Sequence, residues 1–224
     1  MGHSTQTGHS MRHSPRRTKG DSTVTSIDRQ SYARMFGPTK GDRIRLADSD
    51  LFVEVEHDYT VPGYELLCGA GKSVRDGEGY RPSSKPSDGA LDYVIVNAVI
   101  IDAVAGIVKA DIGIRDGRII GVGKAGNPDT MPDVTPGMVV GTSTTPIPAE
   151  GMIVTAGAIE THAHLISPQQ TEHALSTGTT TLIGGSLGPS FEVATGSPRN
   201  LGMFLKASEY SPMKIGRASC RERV

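Results

Sequence analysis

The chain has 224 residues, enough for one large or two small domains, and its formal net charge of −1 gives no general electrostatic case for nucleic acid or membrane. Apolar residues make up 36% of it beside 28 glycines and 14 prolines, which suits a loop-rich α/β or β protein rather than a helical bundle. No apolar run reaches the ~18–20 residues that span a bilayer. Two cysteines, Cys68 and Cys220, are too few for a disulfide framework or a thiolate metal site and are compatible with a reducing cytoplasm.

Residues 1–26 carry ten Ser or Thr, three His and four basic residues against one acid, Asp21. That is the composition of a disordered leader, without the apolar stretch of a secretory signal. From Ile27 to Phe36 apolar residues recur at helical spacing, with Asp28 near the start and Gly37-Pro38 as the stop, so a short helix is predicted. Asp42–Ala47 and Leu51–Glu56 alternate apolar and charged residues, the pattern of half-buried strands. Gly69-Ala-Gly-Lys-Ser73 is superficially a phosphate loop, but Leu66 occupies the position where the motif needs its first glycine and no clear apolar strand precedes it. ATP binding is therefore excluded. Residues 78–90 are rich in Gly, Pro and Ser and read as a loop. Tyr93–Asp102, Ala110–Arg115 and Arg118–Gly123 read as strands, the last two joined by Asp116-Gly117, a strong hairpin signal because both turn positions favour φ > 0.

Met152–Ile159 is apolar and β-prone, and reads as a buried strand that runs into Glu160-Thr-His-Ala-His164. Side chains two apart on a strand share a face, so His162 and His164 are expected to stand roughly 6–7 Å apart and point the same way. Two neutral imidazoles at a strand end are half of a divalent-metal site. The plainer alternative is a pair of polar residues closing a strand, each bonded to backbone. Imidazole suits zinc, iron, copper and nickel alike, so the pair does not select the ion. Beyond it, Pro168–Leu175 reads as a short helix closed by Gly178, Thr179–Gly185 as a further strand, and Pro198–Tyr210 as a helix. His173, on the first of these helices, reads as a surface residue.

Arg29-Gln-Ser-Tyr-Ala-Arg-Met-Phe-Gly-Pro-Thr-Lys-Gly-Asp-Arg-Ile-Arg-Leu-Ala-Asp48 resembles the opening of urease alpha subunits. Gly69–Gly77 is similar to the family's Gly-Gly-Gly-Lys-x-x-Arg-Asp-Gly segment, and Asn97–Pro128 to its β-rich N-terminal domain. Gly151–His164 resembles the first barrel strand of the amidohydrolase superfamily, Gly-x-Ile-Asp-x-His-x-His, although Ala158 stands for a family Gly and Glu160 for the usual Asp. Ala194–Pro198 matches the family's Thr-rich run only in part. The resemblance covers about residues 29–213. It implies an α/β protein with a β-rich domain over 27–150, and then over 151–213 the start of a (β/α)8 barrel truncated after about two strands. It also implies an enzyme that hydrolyses urea to ammonia and carbamate at two nickel ions bridged by a carbamylated lysine, with His162 and His164 on one of them. Urease beta and gamma subunits and nickel-loading accessory proteins are the implied partners. Because the remaining ligands lie on later strands, the chain by itself is expected to be inactive, with aggregation or partial disorder beyond about Gly151, where unpaired strand edges are left. Two other readings compete: a non-catalytic module that docks on other urease subunits, and a cyclic-amide hydrolase such as a dihydropyrimidinase, which shares the strand pattern but not residues 29–48. Residues 214–224 stand apart, since Ile215–Val224 is encodable by the reverse complement of a common short-read sequencing adapter, and that stretch is expected to be artificial.

Overall fold

The computed structural model describes residues 26–67, 78–163, 169–184, 197–207 and 209–217. Asp28 opens the first helix, α1 (Arg29–Phe36), by accepting the Ser31 N–H at 2.9 Å, and Gly37 at φ +83° ends it. Both ends fall where the sequence signals put them. The two alternating runs pair antiparallel as β1 (Arg43–Arg45) and β2 (Phe52–Glu54), shorter than expected.

The main sheet has six strands. At its centre β4 (Tyr93–Asp102) and β5 (Gly106–Arg115) pair antiparallel. The outer edge of β5 carries β3 (His57–Asp58), parallel, and β6 (Arg118–Gly123), antiparallel. The outer edge of β4 carries β7 (Thr145–Pro148) and β8 (Ile153–Thr155), both parallel to it. Asp116 and Gly117 sit at φ +52° and +68° between β5 and β6, the conformation the Asp-Gly signal requires. β5 begins at Gly106 rather than Ala110, because Lys109 interrupts the apolar pattern although it is fully buried. β3 and β7 were not legible in sequence: one is two residues long and the other holds two prolines. Two apolar clusters form the core, one around Leu66, Leu91, Val94, Val96 and Met138, the other around Ala98, Ile100, Val108 and Ile112.

The expectation of one buried strand over Met152–Ile159 is corrected. The chain breaks at Ala156-Gly157: β8 stays on the six-stranded sheet, past the boundary at 150, and β9 (Ala158–Ala163) belongs to a second sheet. A Cβ at Gly157 would collide with the Thr180 side chain, so the glycine is what lets the chain close onto the new sheet. That sheet is parallel, in the order β11-β10-β9, with β10 (Thr179–Gly184) and β11 (Lys214–Arg217). α2 (Gln170–Ser176) lies between β9 and β10 in the chain, and α3 (Pro198–Ala207) between β10 and β11. Two of its strands lie within 151–213, and the third is Lys214–Arg217, at the start of the stretch expected to be artificial, paired with the open edge of β10. Nor is β9 buried: Ile159 is 60% exposed and only Ala163 on that strand is covered. Parallel sheets normally have both faces covered. Here the core is Ala163, Leu182 and Met213, and no closed barrel forms among the described residues. None of the described helices is long and apolar enough to cross a membrane.

Candidate functional site

His162 stands in β9 next to the buried Ala163, with its side chain exposed. Its backbone N–H donates to Glu160 Oε1 at 2.7 Å, so the Glu160 carboxylate turns back onto its own strand. The ends of β9 and β10 are drawn tightly together there, because a Cβ at Gly184 would collide with the Ala163 carbonyl. His164 lies outside the described residues. His173 is exposed on α2, as its sequence context suggested. A neutral imidazole at a strand end is suitable chemistry for nickel or another borderline divalent ion. The number of donors is not: among the described residues no group of three or more His, Cys, Asp or Glu converges to hold a metal. Among the described residues the donor set is thus partial.

Sequence reasoning missed a second assembly, a cluster of buried charges under α1. Lys109 on β5 is 0% exposed, and its Nζ lies 3.7 Å from Asp58 Oδ2, too long for a hydrogen bond, and 4.8 Å from the Tyr32 ring centre. Asp58 is held in turn by the Thr39 and Thr60 hydroxyls at 2.7 and 2.6 Å. The Tyr32 hydroxyl donates to Glu65 Oε1 at 2.6 Å, and Gly63 N–H donates to Glu65 Oε2 at 2.9 Å. Burial, followed by that bond to a carboxylate, raises the Tyr32 pKa well above the usual tyrosine range. Burial lowers the Lys109 pKa against the opposing pull of Asp58, Glu65 and Asp111. Asp111 accepts the N–H groups of Asn97 and Ala125, each at 2.8 Å, yet burial still pushes its carboxyl up to about 6. The visible signal was Lys109-Ala-Asp111, two charges in the middle of a strand whose other residues up to Ile114 are Ile, Val, Ala and Gly. It pointed to a paired, buried site, although the partners come from positions 14 to 77 residues away.

The arrangement defines a class: an α/β protein in which a mixed, β-rich sheet is followed along the chain by parallel βαβ units, with an imidazole on the first strand of these. More specifically, the chain belongs to the urease alpha-subunit family. The family model described as the urease alpha-subunit, N-terminal domain, matches residues 25–147. The urease subunit alpha of Haloarcula marismortui is 52% identical over 190 residues, covering 85% of this chain and 33% of that protein. The urease subunit alpha of Laribacter hongkongensis is 50% identical (86% of this chain, 34% of the relative), and urease subunit alpha 2 of Brucella suis biovar 1 is 52% identical (86% and 35%). The chain therefore spans about a third of the length of the curated relatives it matches. An alignment of 190 residues in a chain of 224 cannot end before residue 190, so the similarity runs through His162 and His164.

Proposed function

We propose that this chain is the amino-terminal part of a urease alpha subunit, whose complete form hydrolyses urea to ammonia and carbamate in the cytoplasm. The observation that supports this reading is an overall identity of ~50% in alignments long enough to reach past the His-x-His strand. On this reading β9, α2, β10 and α3 are the opening units of a (β/α)8 barrel, which the longer relatives have room to complete. His162 and His164 would supply two imidazole ligands of one nickel ion, leaving the rest of a two-nickel site to later strands. When bound, a metal pair polarises the urea carbonyl and supplies hydroxide at neutral pH. This chain's part is to present the imidazoles at the mouth of the first strand and to provide the rigid sheet behind them. Its partners would be the urease beta and gamma subunits and nickel-loading accessory proteins. By itself the chain would not turn over urea.

A chimaera tests the proposal: residues 29–213 replace the matching third of the Haloarcula marismortui subunit, in its own urease assembly. Retained nickel and ammonia release are expected, with both lost in His162→Ala. A chimaera that assembles but neither binds nickel nor releases ammonia would sink the reading.

A further inference from the structure

β4 carries one residue too many at its middle. Its pairing with β5 jumps from Ile95↔Ile112 to Ala98↔Ala110, so two residues of β4 face one of β5. Asn97 takes up the difference at φ +57°, in the left-handed region that Asn tolerates better than most residues. Its N–H, displaced from the ladder, donates instead to Asp111 Oδ1 at 2.8 Å.

On the other edge of β4 the neighbouring chain is interrupted at the same level. β7 ends opposite Val96 and β8 resumes opposite Val99, leaving residues 149–152 to form a tight turn closed by Met152 N–H to Ala149 O at 2.9 Å. Gly151 sits in that turn at φ +76°. The Asn97 side chain ties this turn to the segment at Leu66. Its Nδ2 donates to Leu66 O at 2.8 Å and to Glu150 Oε1 at 3.3 Å. Both partners are acceptors, which fixes the orientation of the amide. From above, the end of α1 bears on the same turn: a Cβ at Gly37 would lie 3.0 Å from the Gly151 nitrogen and 3.5 Å from Asn97 O.

We infer that Asn97 is a positioning residue, whose side-chain amide and left-handed backbone hold the 149–152 turn against β4 and so set the direction in which the chain leaves the main sheet to become the strand bearing His162. From the turn, β8 runs three residues along β4, and two residues later the chain enters β9. Any tilt of the turn is carried into β9, because β8 is anchored to β4 by only three residue pairs. What the positioned strand does rests on the urease reading, but the joint itself does not, so its test uses no metal.

Amide hydrogen exchange of the 224-residue chain, followed by mass spectrometry, reports both sides of the joint. Asn97→Gly keeps the left-handed backbone accessible and removes the amide. It should speed exchange across residues 149–163 by at least ~10-fold and leave 106–115 within ~2-fold of the parent, as expected for a local opening rather than a global one. Glu150→Gln, which keeps the Oε1 acceptor, should match the parent. If Asn97→Gly unfolds the sheet outright, Glu150→Ala decides, since it deletes only the distal acceptor and should loosen 149–163 alone. Equal acceleration in both segments from Glu150→Ala, unchanged exchange in 149–163, or a Glu150→Gln effect as large as that of Asn97→Gly each overturns the assignment.

Discussion

The two sheets of this chain use similar raw material and reach different ends. The six-stranded sheet buries apolar clusters of eight and six residues, and covers Lys109, Asp111 and Asn97 as well. The three-stranded parallel sheet buries three, and leaves Ile159 60% exposed. The difference is not one of β propensity, since Thr179-Thr-Thr-Leu-Ile183 is as β-branched as most of β4. It is one of cover. β4 and β5 find neighbours on both edges from within residues 57–155, whereas parallel strands need a crossover and a covering layer for each addition. Among the described residues the first kind of sheet has both edges and its core covered, and the second has neither a third apolar layer nor more than three buried core residues.

The contrast can be broken from either side. The largest effect is expected from Lys109→Ala, which removes the cation facing Asp58 and leaves a cavity beneath Tyr32. Taking one partner from a buried ion pair costs ~3–5 kcal/mol, so chemical denaturation followed through the main sheet should show a loss of that size. A change under ~1 kcal/mol, the scale of an exposed pair, would mean that the cluster is hydrated rather than sealed. Asp111 sharpens the contrast through pH. Its carboxyl rises from the ordinary 3.8 to about 6 in the folded chain, so the fold favours the protonated form. That contribution is fully present below pH ~4 and is lost as pH rises through about 6, a span of about 3 kcal/mol. The stability difference between the parent and Asp111→Asn should therefore move against the parent by about 2 kcal/mol of that span from pH 4 to 6. A difference that moves in the parent's favour over that window would show that the two backbone N–H groups outweigh burial. Smallest, and confined to the other sheet, is Gly157→Ala. Its methyl meets Thr180 where β9 joins β10, a clash of the kind that costs ~1–3 kcal/mol. Exchange should quicken in 158–163 and 179–184 while 93–115 holds; acceleration in 93–115 as well would mean that the sheets share one folding unit.

Much of the first sheet was readable because its signals are local. The α1 cap at Asp28, the stop at Gly37, the full span of β4 and the Asp116-Gly117 turn each depend on residues within a few positions of one another. The candidate site was readable only in part. His162 and His164 announce themselves by spacing, but the backbone contact that Glu160 makes to His162 does not. The break at Ala156-Gly157 was hidden by an apolar run that continues across it, because hydrophobicity records that a segment is to be covered and not by which sheet.

Local chemistry, read from the order of residues, determined α1 with both its ends, the span of β4, the Asp116-Gly117 turn and the kinship to urease alpha subunits. Only the assembled molecule decided that Tyr32, Asp58 and Lys109 meet, that Asn97 braces a turn more than fifty residues further on, and that one apolar run serves two sheets. The reason is physical: a buried charge or a displaced N–H must find its partner wherever the chain brings one within bonding distance, and that depends on the whole packing rather than on neighbours in the sequence.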